Sequence, residues 1–197
     1  VVASTTPRAI VVLGDSITDG YGVKPATHQR WTDELSRRLR ADPATADIGV
    51  LNHGIGGNRL LRDGLGPNIL ARFERDVLAR SDVTDVIILE GINDLGFRSD
   101  LTPDALIQGI EDAVHALKAQ RPGRPVLNVL VGTILPAGGT SGITGAIFGG
   151  TEDRRQLVNA RIRSPGIGDG YVDFDAALRD PADPTRLAAS YDGGDGL

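Results

Sequence analysis

Ala9-Ile10-Val11-Val12-Leu13, followed at once by Gly14-Asp15-Ser16-Ile17-Thr18-Asp19-Gly20, decides how this chain reads. An unbroken apolar run of that length marks a strand buried on both faces, as in a parallel sheet with helices above and below it. A serine delivered straight off the carboxyl end of such a strand into a glycine-flanked turn presents its hydroxyl at the sheet's edge. Chemistry is therefore expected at Ser16. In isolation Gly-Asp-Ser equally marks an ordinary tight strand-to-helix connection, so the reading depends on the motifs further along the chain.

Outward from that stretch, strand-like and helix-like segments alternate to the end without an internal repeat. Trp31, Leu35 and Leu39 recur at four-residue spacing and predict an amphipathic helix over 29–40. Ile48 to Asn52 reads as a short strand, and Ile69, Leu70, Phe73 and Val77 as a second helical stripe. Val86-Ile87-Ile88-Leu89 is a fully apolar strand ending at Glu90-Gly91. Thr102-Pro103-Asp104 then places a cap, a first-turn proline and a dipole-matching acid ahead of Leu106, Ile110, Ala113 and Leu117. Val126 to Val131 makes a fourth strand, and 136–150 a loop rich in Gly, Thr and Ser. Leu157, Val158 and Ile162 mark a further helix, entered at Thr151-Glu152-Asp153, before a last strand near Tyr171 to Phe174.

Five strands separated by helices, joined by right-handed crossovers, give an α/β fold with a parallel sheet covered on both faces. Ligands in such sheets lie beyond the carboxyl ends of the strands, near the switch in strand order. The loops after the first three strands read Gly14-Asp15-Ser16, then Asn52-His53-Gly54-Ile55-Gly56-Gly57-Asn58, then Gly91-Ile92-Asn93-Asp94. All three are expected to converge on one edge.

With 197 residues and a hydrophobic share of 40%, the chain has enough material for one compact domain over 1–197 and too little for two. A net charge of -5 leaves no basic field for a polyanion, so nucleic acid is not expected as a partner. No apolar run approaches the ~20 residues that span a bilayer. The lack of cysteine excludes disulfides, thiolate metal sites and cysteine nucleophiles. With no methionine even at position 1, the sequence is expected to begin inside a longer polypeptide.

Several residues carry two readings. Asp173 and Asp175, with Asp15 and Asp94, suit a divalent-metal site by their oxygen donors. The simpler expectation is that alternation along Asp173-Phe174-Asp175 puts both acids on the solvent side of a short edge strand, and no metal or cofactor is expected. Arg59, Arg62, Arg72 and Arg75 read as a solvated face, and segment 136–150 as either a substrate-gating lid or a flexible connector. His28 and His115 read as exposed, whereas His53, leaving the second strand just before Gly57, reads as a packing or orienting residue. Trp31 or Tyr21 offers an aromatic platform for a sugar, although the spacing of Trp31 favours the core.

The ordered set Gly14-Asp15-Ser16, the glycine-rich loop from Asn52 to Leu61, Gly91-x-Asn93-Asp94 and the terminal Asp195 resembles the SGNH or GDSL hydrolase family of esterases and lipases. The resemblance covers essentially the whole chain, and Asn52–Leu61 and Leu89–Gly96 look especially like secreted actinobacterial-type members. It implies a three-layer αβα sandwich of the flavodoxin-like SGNH type with five parallel strands, closed by a C-terminal helix beyond residue 197. It also implies a serine hydrolase that cleaves short-chain acyl or carbohydrate O-acyl esters through an acyl-enzyme on Ser16.

By the same resemblance the oxyanion donors are the backbone amides of Ser16 and Gly57 and the side-chain amide of Asn93. Asp195 orients a histidine, expected three residues further on, one past Leu197. Residues 1–197 alone are then expected to be nearly inert, truncated at both ends relative to the parent protein. A noncatalytic binding or accessory domain that keeps the fold without the base is the alternative. An extracellular location is implied only by the family's habits, and the oligomeric state is left open.

Overall fold

A computed structural model describes residues 8–119 and 123–197. The apolar run that opens the chain is β1 (Arg8–Gly14), the second strand across a five-stranded sheet. With β2 (Ile48–Gly54), β3 (Val83–Leu89), β4 (Asn128–Gly132) and β5 (Gly170–Val172) it forms the order β2-β1-β3-β4-β5, every pair parallel. Val11 lies opposite Leu51 on one side and Val86 on the other. The chain leaves β1 in one direction to form β2 and returns past it to form β3, so the reversal in strand order falls at β1 and β3. Loops following those two strands are where such a sheet opens a crevice.

Side-chain alternation along the strands splits the core in two. Val11, Leu13, Val86 and Ile88 face a large apolar cluster built with Ile69, Phe73, Ile110, Leu117, Val158 and Ile162. Helices α3 (Ile69–Phe73), α5 (Pro103–Lys118) and α7 (Glu152–Arg163) supply those partners. Leu89 faces the other way, into a smaller cluster with Leu135 and Leu187, flanked by Trp31 of α2 (Trp31–Ala41) and Phe174 of α8 (Phe174–Leu178). Trp31 and Phe174 meet edge to face with ring centroids 5.1 Å apart, which assigns Trp31 to packing. Each fully buried aliphatic side chain contributes about 1.5–3 kcal/mol, so the larger cluster dominates the stability of the sheet.

The elements begin and end where local chemistry says they should. Thr102 accepts from Ala105 N at 3.2 Å and caps α5, with Pro103 in its first turn. The stripe from Ile69 to Val77 is α3 followed by a π-helical stretch, Glu74–Leu78.

Two segments differ from the sequence reading. Within 136–150 the chain folds a helix, α6 (Gly142–Phe148), which its Gly and Thr content conceals and which buried Phe148 anchors. The last strand stops at Val172, and Asp173 instead caps α8 by accepting from Ala176 N at 3.0 Å. Asp173 and Asp175 are therefore not paired on a solvent-facing edge strand. Asp175 is buried and receives Arg155 at 2.8 Å, while Arg163 donates to Asp173 at 2.7 Å and to Asp175 at 2.5 Å. Among the described residues no group of acids and histidines is placed to hold a metal ion, and no helix is long and apolar enough to cross a membrane.

Candidate active site

Ser16 opens α1 (Ser16–Asp19), a single helical turn set directly on the end of β1. Asp15 caps that turn by accepting from Ile17 N at 2.9 Å, and Gly20 closes it in a left-handed conformation. The turn places Ser16 at the wall of a cleft of 120 Å³. Asn93 and Ile92 line the same cleft from α4 (Ile92–Gly96), the helix that follows β3. Thr144 and Phe148 of α6 complete it with Tyr21 and Leu197. Ser16 and Asn93, far apart in the sequence, thus meet because β1 and β3 are neighbours.

The loop after β2 is tied to the loop after β3. Ile55 to Asn58 make a turn closed by Asn58 N donating to Ile55 O at 2.9 Å, with Gly57 at φ +69°. A side chain at 57 would be strained and would meet Leu65 at 2.7 Å, so the position calls for glycine. The Asn93 carboxamide donates to Asn58 O at 3.0 Å, and Asp94 accepts from Leu60 N at 2.8 Å and Leu61 N at 3.0 Å. Gly57 sits next to the residue that holds Asn93, but it is not among the residues lining the cleft with Ser16.

Beneath this loop lies Arg72, which belongs to no solvated face. Its side chain is 1% exposed and donates to His53 O at 2.7 Å, Asn58 Oδ1 at 2.8 Å and Asp76 Oδ2 at 2.8 Å. Burial of the arginine is tolerated because both terminal nitrogens are met in this way, while Nε lacks a partner among the described residues. The other three arginines of that group stay at or near the surface, with Arg59 lying 4.6 Å over the ring of Phe97. The only clue to Arg72 in the sequence is its four-residue spacing from Asp76.

Three carboxyl groups are buried behind the cleft: Asp15, Glu90 and Asp94. Burial pushes Asp15 up to about 7, with Ile17 N pulling it down and Asp94 adding to the rise. Glu90 is raised well above the usual range, first by burial and then by Asp15 and Asp94, with Arg72 in opposition. Among the described residues its two side-chain oxygens lack a well-aligned hydrogen bond, and the backbone amide of Gly91 lowers the pKa only in part. Asp94 is also raised by burial, against the amides of Leu60 and Leu61. Three acids sharing one dry region do not all ionise at neutral pH.

At the far end of the chain, Asp195 accepts from the hydroxyl of Tyr21 at 2.9 Å, and its main-chain oxygen accepts from Thr144 at 3.0 Å. These contacts bring Leu197 to the wall of the cleft. None of the three histidines lines it. His28 and His115 are exposed, and His53 Nδ1 is 3.4 Å from Asp76 Oδ1. Burial lowers the His53 pKa, Asp76 partly offsets this, and Arg72, Arg80 and Arg75 push it further down, so the ring is neutral at neutral pH.

The sequence profile of the GDSL-like lipase/acylhydrolase family matches residues 12–196. Among solved structures, the aryl esterase of M. smegmatis superposes with a TM-score of 0.72 at 21% identity, covering 92% of this chain and 91% of that one. A carbohydrate acetylesterase family member from Sinorhizobium meliloti gives 0.72 at 20% identity, covering 93% and 91%. A second carbohydrate acetylesterase from Sinorhizobium meliloti gives 0.66 at 18%, covering 84% and 91%. At these identities the likeness establishes a shared fold. No curated protein sequence matches the chain.

Proposed function

The chain belongs to the GDSL-like lipase/acylhydrolase family, and on that footing we propose that it is a carboxylic ester hydrolase with Ser16 as its nucleophile. The observation that carries this reading is the cleft shared by Ser16 and Asn93. Serine Oγ attacks the ester carbonyl carbon while its proton passes to a base, and the carbonyl oxygen becomes an oxyanion. Collapse of the tetrahedral intermediate expels the alcohol, which takes up that proton. Water then repeats the sequence on the acyl-enzyme, releasing the acid and restoring Ser16.

The donors proposed for the oxyanion are the amides of Ser16 and Gly57 and the side chain of Asn93. A carboxamide has two N–H groups, and Asn93 spends one on Asn58 O, which fixes the plane of the amide and leaves the other for substrate. For the base we propose a histidine immediately after Leu197, oriented by Asp195. The placement of Asp195 by Tyr21 and of Leu197 at the cleft wall supports that position. Substrates in this reading are short acyl esters, carbohydrate O-acyl esters among them.

Hydrolysis of p-nitrophenyl acetate by residues 1–197, by the polypeptide extended past Leu197, and by the extended form carrying Ser16→Ala tests the proposal. The extended form alone should turn over. Equal rates in all three would remove Ser16 from the reaction, and an inert extended form that binds a carbohydrate ester would make this an accessory domain.

A further inference from the structure

We propose that Phe148 sets the acyl-chain length this site accepts, limiting it to acyl groups of about two to four carbons. This rests on the proposed function, which puts the ester carbonyl at Ser16 and Asn93. With the carbonyl there, the acyl chain extends into the remainder of the cleft, whose walls are Ile17, Ile92, Phe148 and Leu197 together with Tyr21 and Thr144. Four of those six side chains are hydrocarbon, so the space favours an alkyl chain. Its size is the limit. A volume of 120 Å³ is below the roughly 150 Å³ of an apolar cavity that binds benzene, a six-carbon molecule.

Phe148 is one wall of this cleft, and its ring is firmly packed. It is 6% exposed, and its ring meets Phe97 edge to face at 6.1 Å. The ring also occupies the space a side chain on Gly96 would need. Its main-chain oxygen accepts from both the amide and the hydroxyl of Thr151, at 2.9 and 2.7 Å, which pins the end of α6. A ring packed against Phe97 and Gly96, on a backbone tied to Thr151, resists displacement by a longer chain. Ile17, Tyr21 and Leu197 also line a second pocket of 150 Å³, together with Leu135, Leu178, Leu187 and Tyr191. Neither Ser16 nor Asn93 lines it.

The experiment is a p-nitrophenyl ester series from acetate to decanoate, run on the natural full-length polypeptide and on Phe148→Leu and Phe148→Ala. The native protein should fall steeply beyond butyrate. Phe148→Ala should raise kcat/KM for hexanoate relative to acetate by at least ~10-fold, the discrimination a pocket methylene or two can supply, with Phe148→Leu in between. If Phe148→Ala does not fold, Phe148→Leu, which keeps an apolar side chain in place, decides the matter by the same ratio. An unchanged length profile in a folded variant overturns the inference. Ser16-dependent hydrolysis of acetate with an unchanged profile would sink only the pocket assignment, whereas hydrolysis independent of Ser16 would sink the function it rests on.

Discussion

The side-chain amide of Asn93 donates to the main-chain carbonyl of Asn58 at 3.0 Å, joining the loop after β3 to the loop after β2 at the mouth of the Ser16 cleft. The bond is buried, so it does not compete with water. It holds the amide in one orientation before any substrate arrives, the condition under which a donor stabilises a transition state without reorganising.

Asn93→Ala is expected to lower kcat by ~10²- to 10³-fold with a smaller change in KM, since the donor acts on charge that develops only in the transition state. Steady-state kinetics on a short ester checks this. A change confined to KM would assign Asn93 to substrate binding.

Asp94 belongs to the same motif and does a different job. Asp94→Ala leaves the buried amide of Leu60 and the half-buried amide of Leu61 without an acceptor, and the expected loss is about 2–4 kcal/mol of stability, read as a lower urea midpoint. Asp94→Asn, which retains one carbonyl acceptor, should lose less.

Glu90 gives the protein a pH dependence of known sign. A carboxyl whose folded pKa is raised binds protons on folding, so its contribution is complete below its ordinary value near 4.5 and is lost as pH rises through the folded one. Asp15, raised to about 7, acts in the same direction. Stability should therefore fall as pH rises from about 5 to about 8, and Glu90→Gln should flatten that fall, with a larger gain at about pH 8 than at about pH 5. Urea titrations at both pH values measure it. A gain equal at both would show that folding does not raise the Glu90 pKa above its ordinary value.

Arg72→Met removes a cation that meets Asp76, Asn58 and the His53 carbonyl, leaving the Asp76 carboxylate buried with fewer partners. Burial works against the ionisation of Asp76, and the hydrogen bonds from Arg75 and Arg72 outweigh it, helped by the charge of His53 when protonated. The expected cost is about 3–5 kcal/mol by chemical denaturation. Arg75→Met, at an exposed position where solvent screens the pair, should move the denaturation midpoint far less.

The sheet and the three loops at its edge were legible because they follow from short-range patterns: apolar runs bounded by glycine, and caps such as Thr102-Pro103. Ser16 and Asn93 came within reach for the same reason, since a parallel sheet puts the ends of adjacent strands side by side. Arg72 and Arg155 were not legible as buried residues. An arginine enters a core only when several partners far along the chain converge on it, and for Arg155 these are Ile134 O and Asp175. Helix α6 escaped for a related reason, because Phe148 stabilises it from outside by packing against Gly96 and Phe97 while its own sequence has poor helix propensity. Asp173 and Asp175 misled because alternation alone does not separate a strand from a capped helix of one turn.

The most direct measurement is a rapid acid quench of the full-length polypeptide with p-nitrophenyl acetate, and peptide mass mapping of the quenched protein. An acetyl group on the peptide carrying Ser16, absent from the Ser16→Ala variant, is the predicted result. Turnover with no acylated Ser16, or with the acyl group on another residue, would contradict this mechanism.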